Sequence, residues 1–506
     1  MNEESKKILT VTYPLIVNTA AVDELNKRLR IGCDIYNAML CAKLKRLRQM
    51  EQTRAWRENQ KIIQEEYALE SADEDIEKNK EKRRHSERLK AAFKAKQDML
   101  KENGFTKFSF VSDVLLYAKP YARQIPSKMA SLSIGAPMWH AFEKYFFSNG
   151  QKIHFKKYRD FNSLETDNKS GLRLLTDEKG KDYLFLSNRN SGAKPLRINL
   201  YPYQTDYDKA MRSGDIKIIR VVRRHQNNKD RFYAQAVVNV VPFVKTDGDG
   251  SALHPFGTGA VGLAIWQGTM YAVSDSQVKK FDLMPNNEAY QMQKNEMNRQ
   301  LTILRQELNP DNFEEDGQIK KGIIDSNGKR VKLTWKYNKH YYRLRNRKRE
   351  MERKHTENMS ILKNKIVYEL LMMGDEFFIY DTSYRTDKPE WDEEEPLTQK
   401  EYRKKKKRRK SIQDSAPAEL IVKLNNKLAM YDKPAVTKVH IKDKDYWYDH
   451  TKDMENPAAF TGDMVRIADD VIPHTAYRAF LVRFYNGTYN NDNIQAAWNL
   501  FLNALK

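Results

Sequence analysis

The sequence predicts an α+β chain of several domains, and three observations carry that reading. Residues 20–103 hold few Gly or Pro and are rich in Glu, Lys, Arg and Gln, a helical composition. Residues 151–163 and 214–243 alternate apolar with basic or polar residues, the two-residue period of strands. From residue 261 a hairpin, a long helix, a strand and further helices follow in that order. A length of 506 residues leaves room for on the order of two to four domains with large cores.

The elements follow from local pattern. "KILTVTYPLIVN" (7–18) reads as a strand. Residues 65–104 read as a charged helical hairpin ending at Gly104, equally a solvated arm or an RNA contact. Residues 106–149 are helical again, interrupted at Pro120, Pro126 and Pro137. "QKIHFKKYRDFNS" (151–163) and "GDIKIIRVVRRHQNNKDRFYAQAVVNVVPF" (214–243) are strands, the latter two joined by "HQNNKD". Alternation is expected to place Lys217, Arg220, Arg223 and Arg224 on an outer face over an apolar core, with Lys156, Lys157 and Arg159 nearby. Such a face suits a sugar–phosphate backbone, and it also suits plain solvent. "KTDGDGSALHPFGTG" (245–259) reads as a linker.

"VGLAIWQGTMYAVSD" (261–275) is a hairpin turning at Gly268. A helix break follows at 308–322. The helix over 337–374 is basic in its first half, where Lys339, Arg343 and Arg347 are candidate RNA contacts, and apolar in its last. "DEFFIYDTSY" (375–384) is a buried strand, "RKKKKRRK" (403–410) a cationic block expected to be disordered and solvent-facing, and "AVTKVHI" (435–441) a short strand before two C-terminal helices. Lys404, Lys405, Arg408 and Arg409 of the cationic block can neutralise DNA phosphates.

Charge narrows the partners. Lys and Arg number 90 against 68 Asp and Glu, a net charge of +22 with a pI near 9.5. That points to a polyanion, with nucleic acid ahead of an acidic membrane surface. The 27 Tyr, 21 Phe and 7 Trp suit base stacking as well as cores. Cys33 and Cys41 exclude a disulfide framework and a four-cysteine zinc site; their spacing along one helix reads as two buried thiols in a reducing cytoplasm. The first residues are too acidic and their apolar run too short for a signal peptide, and no long apolar stretch marks a membrane span.

The order hairpin, long helix, strand, helix suits a nuclease of the ribonuclease H type. Such enzymes hold two divalent metals between carboxylates on the first strand, a later central strand and a C-terminal helix. The chain resembles the TnpB family, the transposon-encoded RNA-guided nucleases ancestral to type V CRISPR effectors. The likeness runs through "GQKIHFKKYRDFNSLE", "SGLRLL", "IRVVRRHQNNKDRFYAQAVVN", "GTGAVGLAIWQGTMYAVSD", "LNPDNFEEDGQIKKG", "KSIQDSAPAELI" and "IPHTAYRAFLV", in that order. It implies a wedge β-barrel over 1–19 and 150–250, a helical recognition lobe inserted at 20–149, and a RuvC-like α/β domain over 251–506. It also implies guide RNA and target duplex DNA with a short adjacent motif as partners, at the bacterial nucleoid. By the same resemblance the motif reader lies in "RQIPSKMASLSIGAPMWHAFEKYF", with Ser127 and Lys128 at an exposed helix start.

The departures from the family are chemical. Where members carry the RuvC Asp, Glu and Asp, this chain has Ala264, Tyr380 and Thr475. The cysteine pairs of a zinc ribbon are absent, so neither catalytic magnesium nor zinc is expected. Asp381, Asp275, Asp469 and Asp470 are the nearby acids; a one-residue shift on a strand reverses the face, and the helix spacing of the last two misses Thr475. Trp266 stands where a small Gly is usual. The leading reading is RNA-guided DNA binding without cutting, controlling transcription with RNA polymerase or a transcription factor as a further partner. The alternatives are an active endonuclease with relocated ligands and an RNA-binding accessory of a transposon.

Overall fold

A computed structural model describes residues 6–72, 87–148, 150, 152–169, 171–186, 195–203, 205–227, 229–245, 249, 256–320, 323–324, 330–331, 333–381, 398–441, 448–449, 454–455, 463–467, 470–484 and 491–505. The chain divides into two compact units, Met1–Phe243 and Val244–Lys506.

The first unit begins with β1 (Lys7–Ile16). Then come α1 (Thr19–Glu51), α2 (Arg54–Ala72), α3 (Glu87–Glu102) and α4 (Lys107–Ala118). Asn18 caps α1 by accepting the Ala21 N–H, and Thr106 caps α4 at Ser109. Gly104, at φ +69°, makes the left-handed turn between α3 and α4. A four-residue helix α5 (Ser127–Ala130) runs through a π turn, Ser131–Gly135, into α6 (Ala136–Phe147). The strands β2 (Ser163–Thr166), β3 (Leu172–Thr176), β4 (Asp182–Leu186) and β5 (Leu196–Leu200) follow. After α7 (Asp206–Arg212) the long hairpin β6 (Asp215–Gln226) and β7 (Lys229–Val240) completes the unit.

These strands form one antiparallel sheet in the order β2-β6-β7-β1-β5-β4-β3. Strand β3 also approaches β6, so the sheet is nearly closed. The helices over 19–147 share its core: Leu25, Leu29, Phe110 and Phe142 belong to one buried cluster with Ile219, Ala236 and Val238. Cys33 is buried but Cys41 is exposed. Eight residues along a helix rotate a side chain by roughly 80°, enough to carry the second thiol off the buried stripe.

The second unit is built on β8 (Ala260–Trp266), β9 (Thr269–Val273) and β10 (Val278–Asp282). Gln267 and Gly268 both have positive φ, +44° and +83°, the two-residue turn that matches the twist of a hairpin. Next are α8 (Asn287–Leu308), the short strands β11 (Ile323–Ile324) and β12 (Arg330–Val331), α9 (Lys339–Leu371) and β13 (Glu376–Tyr380). Then come α10 (Gln399–Ser415), α11 (Pro417–Met430), β14 (Thr437–Val439), β15 (Tyr448–Asp449), β16 (Met454–Glu455), β17 (Met464–Ile467) and β18 (Asp470–Pro473). The last helices are α12 (His474–Val482) and α13 (Asn491–Leu505).

The main sheet runs β10-β9-β8-β13-β14. Strands β8, β9 and β10 pair antiparallel, while β13 and β14 lie parallel to β8. Val261, Leu263 and Ile265 face a core shared with α9 and α11, whereas Ala264 and Val273 face one shared with α12. The cationic block lies inside α10 rather than in a disordered segment. Lys and Arg are good helix formers, and Asp414 near the end of α10 accepts from Asn287 Nδ2 (2.9 Å) and Gln291 Nε2 (3.5 Å) of α8. The block is solvent-facing as expected: Lys405 and Arg408 are exposed and Arg409 is half-buried. The side chain of Lys404 lies outside the described residues.

Candidate functional site

The two-residue period of β8 puts Gly262, Ala264 and Trp266 on one side of the sheet. Helix α12 lies directly over them. A Cβ at Gly262 would fall 1.9 Å from the Ala479 carbonyl oxygen, so only hydrogen fits between β8 and α12. Ala264 is 1% exposed, lies opposite Tyr271 and packs in the cluster that holds Ala476, Tyr477 and Phe480. Tyr380 packs against the same cluster from β13. Thr475 is buried in the first turn of α12. The three positions singled out in the sequence therefore converge on one face, at the meeting of β8, β13 and the start of α12.

The chemistry there is not that of a cation cage. The Arg478 guanidinium lies 4.6 Å from the Tyr380 ring centroid. The Trp266 and His474 rings meet edge to face at 5.5 Å. The Thr475 hydroxyl is 3.5 Å from His474 Nδ1. A methyl group, a phenol, a hydroxyl, an imidazole and a guanidinium do not fit a hard divalent ion, which calls for several carboxylate oxygens. Among the described residues no group of three or more His, Cys, Asp or Glu side chains is placed to hold a metal.

Asp275 and Asp381, among the neighbouring acids, pair with other side chains. Asp275 is held by the Arg483 guanidinium, whose Nη1 also donates to the Ser274 carbonyl at 2.8 Å. Asp381 lies 3.9 Å from Lys438 Nζ. Asp463, which the sequence reading passed over, is 3.9 Å from His474 Nε2 but 77% exposed. Asp470 begins β18 opposite Ile467, and Asp469 lies outside the described residues.

Burial, with Arg478 adding to it, depresses the His474 pKa to about 4, against a partial opposing pull from Asp463. The folded state therefore keeps this imidazole neutral where the unfolded chain binds a proton. The associated stability is complete above about pH 6.5 and falls as pH drops towards 4, by up to ~3 kcal/mol. Thermal unfolding is expected to show a lower Tm at pH 4.5 than at pH 7, and His474→Gln should flatten that dependence. An unchanged pH profile in the variant would show that other groups carry it.

The basic residues expected on the outer face of the first unit divide sharply. Lys217 is the extra residue of a bulge between Ile216 and Ile218, which resets the alternation of β6. Ile219, Val221 and Arg223 then face inward, and Arg220 and Arg224 outward. This corrects the expected placement of Arg223, which is 6% exposed. Its guanidinium donates to Asn26 Oδ1 (3.0 Å), Asn162 Oδ1 (2.9 and 3.1 Å) and the Tyr158 carbonyl (2.8 Å). Arg220 is paired with Glu165 and Gln235. Lys217 pairs with Asp215 at 2.5 Å. Lys156 is packed 4.4 Å from the Tyr36 ring centroid, and burial lowers its pKa. Lys157, Arg159 and Arg224 are exposed. Arg159 lies 3.7 Å from Asp160, and Arg224 rides over Tyr233.

Ser127 and Lys128 are exposed at the start of α5, where Pro126 holds the cap position and makes no side-chain cap bond. Lys339, Arg343 and Arg347 are exposed at intervals of four along α9, one stripe of the helix. The sequence reading did not pick out the aromatic residues just before this stripe. Trp335 stacks under Arg305 at 3.7 Å, and Tyr337 stacks on Tyr341 at 4.3 Å. Their signal was present, since residues 333–349 contain seven cations, four aromatics and no acid.

No protein-family model matches the chain, and no curated protein matches it. Two solved structures similar to it are Cas12f complexes. One, a cryo-EM structure of a Cas12f1–sgRNA–target DNA complex, aligns over 99% of both chains with a TM-score of 0.41 and 10% identity. The other, a CRISPR–Cas12f ternary complex, aligns over 95% of this chain and 100% of that one, with a TM-score of 0.25 and 9% identity. No helix among the described residues is long and apolar enough to cross a membrane.

Proposed function

We propose that this chain is an RNA-guided DNA-binding protein that occupies its target without cutting it. One observation carries the reading. The sheet of the second unit, ordered β10-β9-β8-β13-β14 with β13 and β14 parallel to β8, supports the ribonuclease H-type arrangement that the sequence suggests. At the three positions to which the sequence resemblance assigns the metal ligands stand Ala264, Tyr380 and Thr475, close to Arg478 and Trp266. A guanidinium in that place repels divalent cations, and none of the three positions supplies a carboxylate to hold them. The net charge of +22 and the exposed cations Lys157, Arg159, Arg224, Lys339, Arg343 and Arg347 support a nucleic-acid partner.

In this reading the first unit grips the guide RNA, base pairing by the guide selects the target, and exposed Ser127 and Lys128 contribute to reading the adjacent duplex motif. Lys405 and Arg408 of α10 lie along target DNA. Stable occupancy then blocks RNA polymerase or recruits a transcription factor. Sequencing the RNA that co-purifies with the protein tests this: one species with a constant scaffold and a variable end is expected. A heterogeneous population of cellular fragments would contradict guiding. Replacing Lys157, Arg159 and Arg224 together by Ala should lower RNA affinity and reduce the salt slope by about one unit for each phosphate no longer neutralised. An unchanged slope would make them ordinary solvated positions.

A further inference from the structure

We propose that the entrance to α9 is a stacking platform for unpaired bases of a single-stranded nucleic acid. The proposal rests on the nucleic-acid reading above and adds to it a defined surface and strand state. The platform is built rather than incidental. The Asn309 side chain accepts from the Lys336 N–H (2.6 Å) and donates to the Lys336 carbonyl (2.9 Å), pairing with that residue as a neighbouring strand would. Asn312 donates to the Thr334 carbonyl at 2.7 Å. Both Asn residues are buried, so the extended segment 334–336, which carries Trp335 and leads into Tyr337, is fixed in place.

On this segment Trp335 lies against Arg305 and Tyr337 stacks on Tyr341, with an interplanar angle of 23°. Tyr342 stands edge-on to both tyrosines at 6.0 Å and is 48% exposed. None of these rings belongs to the buried cores of the second unit, and α8 has no buried residue at all. Trp335 is half-buried against Arg305 and Phe313, and Tyr337 and Tyr341 are half-buried against each other, so Tyr342 is the ring left for a partner with a flat apolar face.

The charge around them selects which partner. No acid occurs between 333 and 349, and Lys339, Arg343 and Arg347 have no ion-pair partner among the described residues. A peptide or a second copy of this chain would meet that cationic stripe with mixed charge. A single strand meets it with a phosphate at every step and offers a base face to the exposed Tyr342 ring at the edge of the Tyr337–Tyr341 stack. Duplex DNA keeps its bases stacked on one another, so the rings have nothing to receive.

The test uses the full-length protein and fluorescent 12-mers of oligo(dT), an abasic strand of equal phosphate count, and a duplex of equal length. Tyr342→Ala is the main variant, because Tyr342 is exposed and lies outside the buried cores of the second unit; Tyr342→Phe keeps the ring. Base stacking has the reach of roughly a ten-fold change per ring. Tyr342→Ala is expected to weaken oligo(dT) binding about ten-fold while leaving the abasic strand and the duplex unchanged, with Tyr342→Phe near wild type. Equal loss on all three probes, or no loss on oligo(dT), would overturn the platform. Selective capture of a guide RNA by the wild-type protein is read separately, so failure of the platform is distinguishable from failure of RNA guiding.

Discussion

Gly262→Ala is expected to unfold the second unit or leave it aggregating. The added methyl would sit 1.9 Å from the Ala479 carbonyl oxygen and 2.7 Å from Arg483 Cγ. Backbone oxygen cannot swing aside as a side chain can, so α12 must lift from the sheet. That would open the cluster formed by Ala264, Ala476, Phe480 and Trp498. Overpacking of this severity costs ~3 kcal/mol or more, a large part of a domain's stability. Gly180→Ala is the control: nothing lies within 4 Å of its Cβ position, and only its φ of +71° resists a side chain, at about 1 kcal/mol. Chemical denaturation of both variants checks the contrast. Equal midpoints would mean that α12 does not press on β8 as closely as the geometry requires.

Arg223→Ala is expected to cost the first unit ~3 kcal/mol or more. The change removes a buried guanidinium that joins α1, through Asn26, to the turn at Tyr158–Phe161 and to β6. It leaves Asn162 and the Tyr158 carbonyl without their donor and vacates the space beneath the Tyr158 ring, where the guanidinium sits 4.3 Å from the centroid. Arg223→Lys should recover little, because one ammonium cannot reproduce a planar fork that reaches three directions. The readout is unfolding in urea without RNA present. A variant as stable as wild type, yet defective in RNA binding, would return Arg223 to the solvent-facing role that its sequence pattern suggested.

The two cases show where the sequence was legible. On β8 the alternation runs unbroken, so Ala264 and Trp266 could be placed on the face that α12 covers, and Tyr380 on β13 with them. On β6 the spacing of Arg220, Arg223 and Arg224 already sets Arg223 on the opposite face from the other two, and a single bulged residue, Lys217, decides which of the faces is the inner one. Nothing in "DIKIIRVVRR" announces that bulge, because Ile and Val fill both faces. The cationic block failed differently. A rule for exposed charge runs competed with the helix propensity of Lys and Arg, and the anchor that decided it, Asp414 on Asn287, is a long-range contact. Arg478 and His474 became visible as site residues only through tertiary placement over Tyr380 and Trp266. The aromatic run at the entrance to α9 was readable from composition, since residues 333–349 hold seven cations, four aromatics and no acid.

The proposed function requires that Ala264, Tyr380 and Thr475 leave the second unit unable to assemble a metal-dependent nuclease while the protein still finds DNA. The most direct measurement takes the protein with its co-purified RNA, adds a guide-matched duplex bearing a randomised flank, and follows binding and strand cleavage together in Mg²⁺ and in Mn²⁺. Guide-dependent retention of the duplex with a flanking preference, and intact strands under both metals, are expected. Metal-dependent cutting that disappears on Asp381→Ala would contradict it and place the missing ligands on this chain after all.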